Sequence, residues 1–254
     1  DFLYHFYILF MHTQIIILAA GHGKRMQSEL PKALTSLHSK PFINHVLDAI
    51  SSSGVCDNPI IVIGQKGDQV RSLLGSSYSY AVQEEQLGTG HAVMIAEEMA
   101  KGSDLIVVLY ADHPLVSADT IKNLINTHKE KNATITMATA TVTDFEDWRS
   151  AFLAFGKFVR DEKGKITKIV EVKDASTEEL EIKEVNPAYM CFDAKWMWEH
   201  LHMLKNENAQ SEYYLTDLVG MAFTENQNIE SISIDPKEAL GVNTKEQLEL
   251  IEKL

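Results

Sequence analysis

Apolar and polar residues alternate in blocks along the first half of the chain, and the blocks follow two different periods. Short, continuously apolar runs predict strands at residues 14–20, 59–63, 78–82, 105–110 and 133–140. Between them, apolar residues recur every three or four positions and predict helices at 42–53, 68–74, 90–100 and 118–129. Strands and helices that alternate in this way form right-handed βαβ units. We therefore predict an α/β fold with a Rossmann-like, mostly parallel sheet flanked by helices.

The second half of the chain has a different character. A turn at 162–164 separates the segments 155–161 and 165–172, and this arrangement is typical of a hairpin. Beyond it the pattern predicts strands at 184–192 and 229–234 and helices at 194–204, 213–225 and 245–253. No linker, repeat or low-complexity stretch divides the chain, so we expect a single domain. Its predicted parts are a lobe at about 11–140, a lobe at about 141–243 and a closing helix at 244–254.

The first strand runs into a glycine-rich loop. Ile15 to Ala20 is apolar throughout, which suits a strand buried on both faces, and Gly21-His22-Gly23 follows it. The cations that come next are Lys24, Arg25 and Lys32. A glycine loop at the carboxyl end of such a strand lets backbone N–H groups approach a phosphate closely. The segment therefore predicts a phosphate site, although an ordinary turn with surface cations would have the same composition.

Two familiar phosphate-binding loops are excluded. The dinucleotide fingerprint requires a third small residue where this chain has Met26, and no acidic residue follows at the distance expected for ribose binding. The P-loop pattern, G-x-x-x-x-G-K-[ST], occurs nowhere in the sequence.

Charge and cysteine content narrow the function classes. The 254 residues carry a net charge of −13, which argues against nonspecific nucleic-acid binding because that requires a basic surface. Cys56 and Cys191 match no metal or disulfide pattern, so we expect small buried apolar residues in a reducing, cytoplasmic compartment. His200 and His202 could suggest a metal pair, but positions i and i+2 of a helix do not face each other.

Residues 1–10, DFLYHFYILF, form an apolar and aromatic segment. The segment is too short to span a bilayer, and it lacks the basic region and the small-residue cleavage site of a signal peptide. We expect it to lie outside the fold, with the domain starting near Met11.

Several motifs together resemble one family. In chain order they are LAAGHGKRM (18–26), Pro31-Lys32, EEQLGTGHAV (84–93), VLYADHPL (108–115), IVEVKDA (169–175), AQSEYYLTD (209–217) and GVN (241–243). They resemble the uridyltransferase domain of the bifunctional N-acetylglucosamine-1-phosphate uridyltransferase/glucosamine-1-phosphate acetyltransferases, which are sugar nucleotidyltransferases. The resemblance runs from about Gln14 to the last residue. The hexapeptide repeats that would build an acetyltransferase β-helix are absent from this sequence.

The resemblance implies a nucleotide-diphospho-sugar transferase fold with a nucleotide lobe followed by a sugar lobe. It implies the synthesis of UDP-N-acetylglucosamine, a precursor of cell-wall peptidoglycan, and pyrophosphate from UTP and N-acetylglucosamine 1-phosphate, with Mg²⁺ as cofactor. Nucleic-acid and membrane partners are not expected. Whether the protein forms a homo-oligomer is left open.

The resemblance also implies roles for individual residues. Arg25 and Lys32 would be catalytic, and Asp112 and Asn243 would bind the metal. Substrate binding would involve Ala19, Ala20, Gly21, Gly23, Gln83, Gly88 and Thr89, with Gln83 and Gly88 at the base and Thr89 by the sugar. Binding of the N-acetylglucosamine moiety would involve Gly156, Glu171, Asn186 and Tyr214.

Simpler roles and departures from the family pattern leave alternatives open. Asp112 could be a turn residue before Pro114, and Asn243 could belong to the start of the closing helix. The family usually has glycine where this chain has Ala111, tyrosine-glycine-arginine at 155–157, and threonine-glycine at 187–188. We therefore keep two other functions in view: uridylyl transfer to another sugar, such as N-acetylmuramate or glucose 1-phosphate, and a nucleotide-sugar-binding module without turnover.

Overall fold

One ten-stranded sheet dominates the fold, which we describe from a computed structural model for residues 11–21, 23 and 30–254. The strands are β1 (Thr13–Ala19), β2 (Ser36–Leu37), β3 (Lys40–Pro41), β4 (Ile60–Ile63), β5 (Ser79–Val82), β6 (Leu105–Tyr110), β7 (Ile135–Thr141), β8 (Lys157–Arg160), β9 (Ile166–Val170), β10 (Glu184–Val185), β11 (Met190–Asp193) and β12 (Ile229–Ser233). The α-helices are α1 (Phe42–Ser53), α2 (Gly67–Leu74), α3 (Thr89–Met94), α4 (Ala118–Lys131), α5 (Thr177–Leu180), α6 (Ala194–Leu201), α7 (Asp217–Thr224) and α8 (Lys245–Ile251). Short 3₁₀ helices span Lys32–Leu34, Glu97–Ala100, Asp147–Ala154 and Pro236–Ala239.

The sheet is mixed but mostly parallel, as the sequence pattern predicted. Its order is β5-β4-β1-β6-β11-β7-β10-β8-β9, and β12 also pairs with β7. Strands β5, β4, β1 and β6 are parallel neighbours, and β12 is parallel to β7. Strand β11 is antiparallel to both β6 and β7. The small hairpin of β2 and β3 stands separately.

The core covers both faces of this sheet. Alternate residues of β1 belong to opposite layers: Ile15 and Ile17 pack with α1 and α4, whereas Ile16 and Leu18 pack with α3, α6 and α7. Every residue of β1 is buried as a result, which explains the continuously apolar run from Ile15 to Ala19. None of the helices among the described residues has the combination of length and apolar character that crossing a bilayer requires.

Three of the predicted elements, at 90–100, 184–192 and 213–225, are wrong in extent. The predicted strand 184–192 is two strands, because Pro187 lacks an N–H and Ala188 has a φ of 65°. The predicted helix 90–100 consists of α3 and the separate 3₁₀ turn that ends at Ala100. The predicted helix 213–225 begins only at Asp217.

The prediction of buried cysteines holds for Cys191 but not for Cys56, and the two histidines do not form a metal pair because their rings face different neighbours. Cys191 is buried, Cys56 is half-buried, and both are free thiols. His200 contacts Glu225 at 2.8 Å, whereas His202 contacts Glu97 at 2.8 Å, so the two rings serve different neighbours. The histidines therefore connect α6 and the residue after it to the end of α7 and to the 3₁₀ turn Glu97–Ala100.

Buried His128 should make the fold sensitive to acid. Burial, together with the charge of Lys129, lowers its pKa from 6.5 to about 4, and its Nδ1 lies 3.0 Å from Thr136 Oγ1. Because the unfolded chain binds the proton more readily, stability is lost as the pH falls from 6.5 towards 4, by about 2 kcal/mol at pH 5. Urea unfolding at pH 7.5 and pH 5 should show this loss in the wild type and a smaller one in His128→Gln. Equal losses in the two proteins would contradict the assignment.

Candidate active site

A cleft of about 250 Å³ opens at the carboxyl ends of β1 and β6. These strands are parallel neighbours with Leu18 opposite Tyr110, so the loops that follow them emerge at the same edge of the sheet. The predicted site residues that line the cleft are Ala19, Ala20, Gly21, Lys32, Gln83, Gly88, Thr89 and Asp112. Tyr110, Ala111, Gln86 and Glu212 also line it. The glycine loop and the end of the buried strand β6 therefore meet in one cavity.

Three side chains from distant parts of the sequence meet at one side of the cleft. The Lys32 ammonium donates to Asp112 Oδ2 in a short ion pair and to Asn243 Oδ1 at 2.7 Å. Pro31 leads into the 3₁₀ turn that begins at Lys32, and the lysine is almost completely buried. The oxygens of Asp112 and Asn243 thus contact the same cation.

Backbone bonds hold the Asn243 segment against the end of β6. Val242 N donates to Asp112 O at 2.9 Å, and Asn243 N donates to Gln247 Oε1 at 2.6 Å. Thr244, not Asn243, is the N-cap of α8, where it forms a capping box with Gln247. The side chain of Asn243 therefore bonds to Lys32 while the neighbouring threonine caps the helix.

The charges around Asp112 favour its ionised form. Burial opposes ionisation, but the Lys32 ammonium outweighs it, with help from His113, and the pKa of Asp112 falls below its ordinary value. Burial likewise lowers the pKa of His113, with Lys32 adding to the effect and Asp112 opposing it. The cleft thus holds an Asp112 carboxylate paired with the Lys32 cation.

Gly23 lies close to Lys32. Its φ is 59°, and a Cβ at this position would lie 3.2 Å from Lys32 Cβ, so glycine suits both the backbone conformation and the contact. Gly21 lines the same cleft. Arg25 and Lys24 fall outside the residues that the structure describes. The predicted catalytic role of Arg25 therefore rests on the resemblance alone.

A second group of predicted residues forms the opposite wall. Gln83 Nε2 donates to Gly88 O at 3.1 Å and lies 3.2 Å from His91 Nδ1. Gly88 has a φ of 108°, and a Cβ there would come within 2.6 Å of Tyr213 O. Thr89 Oγ1 accepts a hydrogen bond from Leu215 N at 3.0 Å. This wall is therefore fastened to the 213–215 segment, which explains why that segment is not helical.

The residues predicted to bind N-acetylglucosamine lie outside the cleft lining but form a connected group. Asn186 N donates to Gly156 O at 2.9 Å, and a Cβ on Gly156 would lie 3.5 Å from Glu171 Oε1. Burial raises the pKa of Glu171, which accepts a hydrogen bond from Thr216 Oγ1 at 3.0 Å. Tyr214 lies nearby but bonds to Asp174, with its hydroxyl 3.3 Å from Oδ2.

Asn186 has a local role as well. Its Oδ1 accepts a hydrogen bond from Ala188 N at 2.8 Å, which is the turn geometry expected of an Asn-Pro pair. The side chain of Asn186 thus stabilises a turn, while its backbone remains beside Gly156.

Tyr110 and Gln86 line the cleft but are not among the predicted site residues. Tyr110 is bonded to Thr89, and burial, followed by the negative charge of Glu171, raises its pKa. It therefore connects the cleft with the Gly156–Glu171 group. Its place at the end of β6, two residues before Asp112, is a signal that could have identified it.

Gln86 Nε2 donates to Ala20 O across the cleft, a contact that no local pattern indicates.

The described residues include no cluster of three or more histidine, cysteine, aspartate or glutamate side chains arranged to hold a metal ion. The pair formed by Asp112 and Asn243 still fits a hard divalent cation, since both supply oxygens and both already contact one positive charge.

Known proteins resemble this chain over nearly its whole length. It is 42% identical to the bifunctional protein GlmU of Clostridium acetobutylicum over 240 residues, which cover 94% of this chain and 51% of that protein. It is 41% identical to the bifunctional protein GlmU of Brevibacillus brevis, covering 92% of this chain and 49% of that protein. The chain thus spans about half the length of these relatives, which confirm the predicted family resemblance.

Solved structures share the fold. One is described as a glucose-1-phosphate thymidylyltransferase from Bacillus anthracis (TM-score 0.74, 21% identity, 95% of this chain and 94% of that chain). Another is a UDP-glucose pyrophosphorylase, with a TM-score of 0.74 and 17% identity, and the match covers 96% of this chain and 98% of that chain. They confirm the predicted nucleotide-diphospho-sugar transferase type of fold. Residues 15–213 match the MobA-like NTP transferase domain, and the chain therefore belongs to that family.

Proposed function

We propose that this protein is a sugar-1-phosphate uridylyltransferase that makes UDP-N-acetylglucosamine and pyrophosphate from UTP and N-acetylglucosamine 1-phosphate. The main support for the proposal is that Lys32 donates to both Asp112 and Asn243 at one side of the cleft. These residues come from three distant segments, each within a motif of the resembling family. The identity of about 40% to bifunctional GlmU proteins supports the same reaction.

The reaction needs positioning and charge neutralisation more than a nucleophilic side chain. A phosphate oxygen of the sugar phosphate attacks the α-phosphorus of UTP, the bond from that phosphorus to the bridging oxygen breaks, and pyrophosphate leaves. Both reactants are anionic, so a buried ammonium beside the glycine loop lowers the barrier electrostatically. Lys32 supplies this charge, and Arg25 would add a second one. Backbone N–H groups between Ala20 and Gly23 would hold phosphate oxygens.

Asp112 and Asn243 would hold Mg²⁺. Their oxygens converge on one cation, and Mg²⁺ typically takes one or two protein ligands and completes its shell with phosphates and water. When bound, the ion would neutralise phosphate charge and orient the triphosphate.

The two walls of the cleft would divide the recognition of substrate. Gln83 carries both a donor and an acceptor, which match the uracil edge, and Gly88 would contact the base beside it. Thr89 of this wall is bonded to Tyr110, and Tyr110 lies close enough to Glu171 for that charge to raise its pKa, so the sugar would bind on this side, at the group of Gly156 and Glu171. Hydroxyl-rich sugars require fixed amides and carboxylates, because partners left unpaired reduce affinity.

The deciding experiment measures pyrophosphate release from UTP in the presence of Mg²⁺ with a panel of sugar 1-phosphates, and with other nucleotides in place of UTP. We expect selective turnover with UTP and N-acetylglucosamine 1-phosphate. Turnover with another sugar, such as N-acetylmuramate or glucose 1-phosphate, would keep the mechanism and change the substrate. A folded protein that binds UDP-sugar without releasing pyrophosphate would instead be a binding module.

A further inference from the structure

His113 follows Asp112 directly, but its ring lies in an aromatic pocket. The ring centroid is 5.9 Å from that of Tyr110, 5.8 Å from that of Phe155 and 5.6 Å from that of Tyr189. Only 8% of the residue is exposed. Three rings therefore fix the position of the imidazole.

Hydrogen bonding does not explain a histidine at this position. His113 Nε2 lies 3.9 Å from Asp112 Oδ1, which is too far for a hydrogen bond. His113 Nδ1 is buried and has no hydrogen-bond partner within the part of the chain that the structure describes. Packing against the three aromatic rings, rather than hydrogen bonding, thus holds the side chain in place.

The ring also lies against the backbone of Gly241. A Cβ at residue 241 would lie 2.5, 2.9 and 3.1 Å from three of the imidazole atoms, so the contact exists only because this residue is glycine. One residue further, Val242 N donates to Asp112 O at 2.9 Å. The segment that carries Asn243 therefore touches both Asp112 and the residue after it.

We infer that His113 is a positioning residue that sets the distance between Asp112 and Asn243, and thereby their ability to share one cation. The inference rests on the proposed function, because it concerns the metal site of that function. The imidazole is confined by three aromatic rings, so any group added at Gly241 would displace the 241–243 segment rather than the ring. A displaced segment would change the distance between Asn243 and Asp112, whose side chains Lys32 now bridges.

Gly241→Ala tests the inference through metal binding, which does not depend on turnover. With saturating UTP, a titration with Mn²⁺ followed by electron paramagnetic resonance should show about tenfold weaker affinity, the scale of effect seen for groups that position metal ligands. The matched control is Gly220→Ala. A Cβ at Gly220, in α7, would meet nothing within 4 Å, so this variant should bind Mn²⁺ like the wild type.

The rescue variant combines Gly241→Ala with His113→Val. Valine ends before the three ring atoms that the new Cβ would meet, so the double variant should recover most of the affinity that Gly241→Ala loses. His113→Val alone should bind Mn²⁺ several-fold more weakly than the wild type, because the segment loses its support. A general loss of stability would not be reversed by removing a second core side chain.

The outcomes are distinguishable. Wild-type affinity in Gly241→Ala, or a double variant no better than Gly241→Ala, would overturn the role of His113 and leave the proposed function intact. If Gly241→Ala does not fold, His113→Val decides, and wild-type Mn²⁺ affinity in that variant would overturn the role. A wild-type protein whose Mn²⁺ binding is unchanged by Asp112→Asn would overturn the metal site of the proposed function, and the inference with it.

Discussion

Asp112→Asn is expected to lose most Mg²⁺-dependent turnover, by at least about 10²-fold, while the protein remains folded. The substitution keeps the size of the side chain but removes the negative charge that faces Lys32 and would hold the cation. Activity should be measured as pyrophosphate release across a range of Mg²⁺ concentrations, with circular dichroism as the test of folding.

Asp144→Asn is the matched control for this substitution. Asp144 is partly exposed, pairs with Arg149 at 2.6 Å and lies outside the cleft lining, so its loss should leave turnover unchanged. Near-normal turnover in Asp112→Asn would remove this carboxylate from the metal site and favour its simpler role in the turn before Pro114.

Lys32→Met is expected to lower kcat by at least about 10²-fold. Methionine preserves the apolar stem, so the lost component is the ammonium beside the glycine loop. If the ammonium acts on charge that develops in the transition state, kcat falls; a change confined to KM for UTP would instead mean uniform binding of substrate and transition state. Lys195→Met, an exposed change on α6, should have no effect.

Metal affinity separates these two variants. Asp112→Asn should lose both turnover and Mn²⁺ binding. Lys32→Met should lose turnover but keep or gain Mn²⁺ affinity, since it removes the ammonium that contacts both predicted ligand oxygens. Loss of Mn²⁺ binding in Lys32→Met would show that the lysine organises the metal site rather than the phosphates.

Local periodicity was sufficient to predict the parallel half of the fold. The apolar run at 14–20 and the helical spacing of 42–53 each depend on neighbours a few residues apart, and both elements form close to the predicted bounds. The insertion of β11 between β6 and β7 could not be predicted in this way, because strand order depends on pairing between distant segments. The break at Pro187 carried a local signal, but the apolar residues on both sides outweighed it.

The candidate site was predicted through motifs rather than through spacing. Lys32 and Asn243 are 211 positions apart, and nothing in the sequence alone says that they meet. Likewise, no local sequence pattern marks His113 and Gly241 as residues that contact each other. Such contacts are decided by tertiary packing, which a reading of one segment at a time does not include.

The place of β11 has a consequence for folding. This strand lies in the interior of the sheet, between β6 and β7, yet it is made about 80 residues after β6 along the chain. The first 141 residues therefore cannot complete their own sheet, and a gap remains beside β6 until β11 arrives. Contacts over such sequence distances close slowly, since the loop entropy is lost before the pairing is gained. Asp112, which follows β6 directly, should acquire its native surroundings only late in folding, together with the second half of the chain.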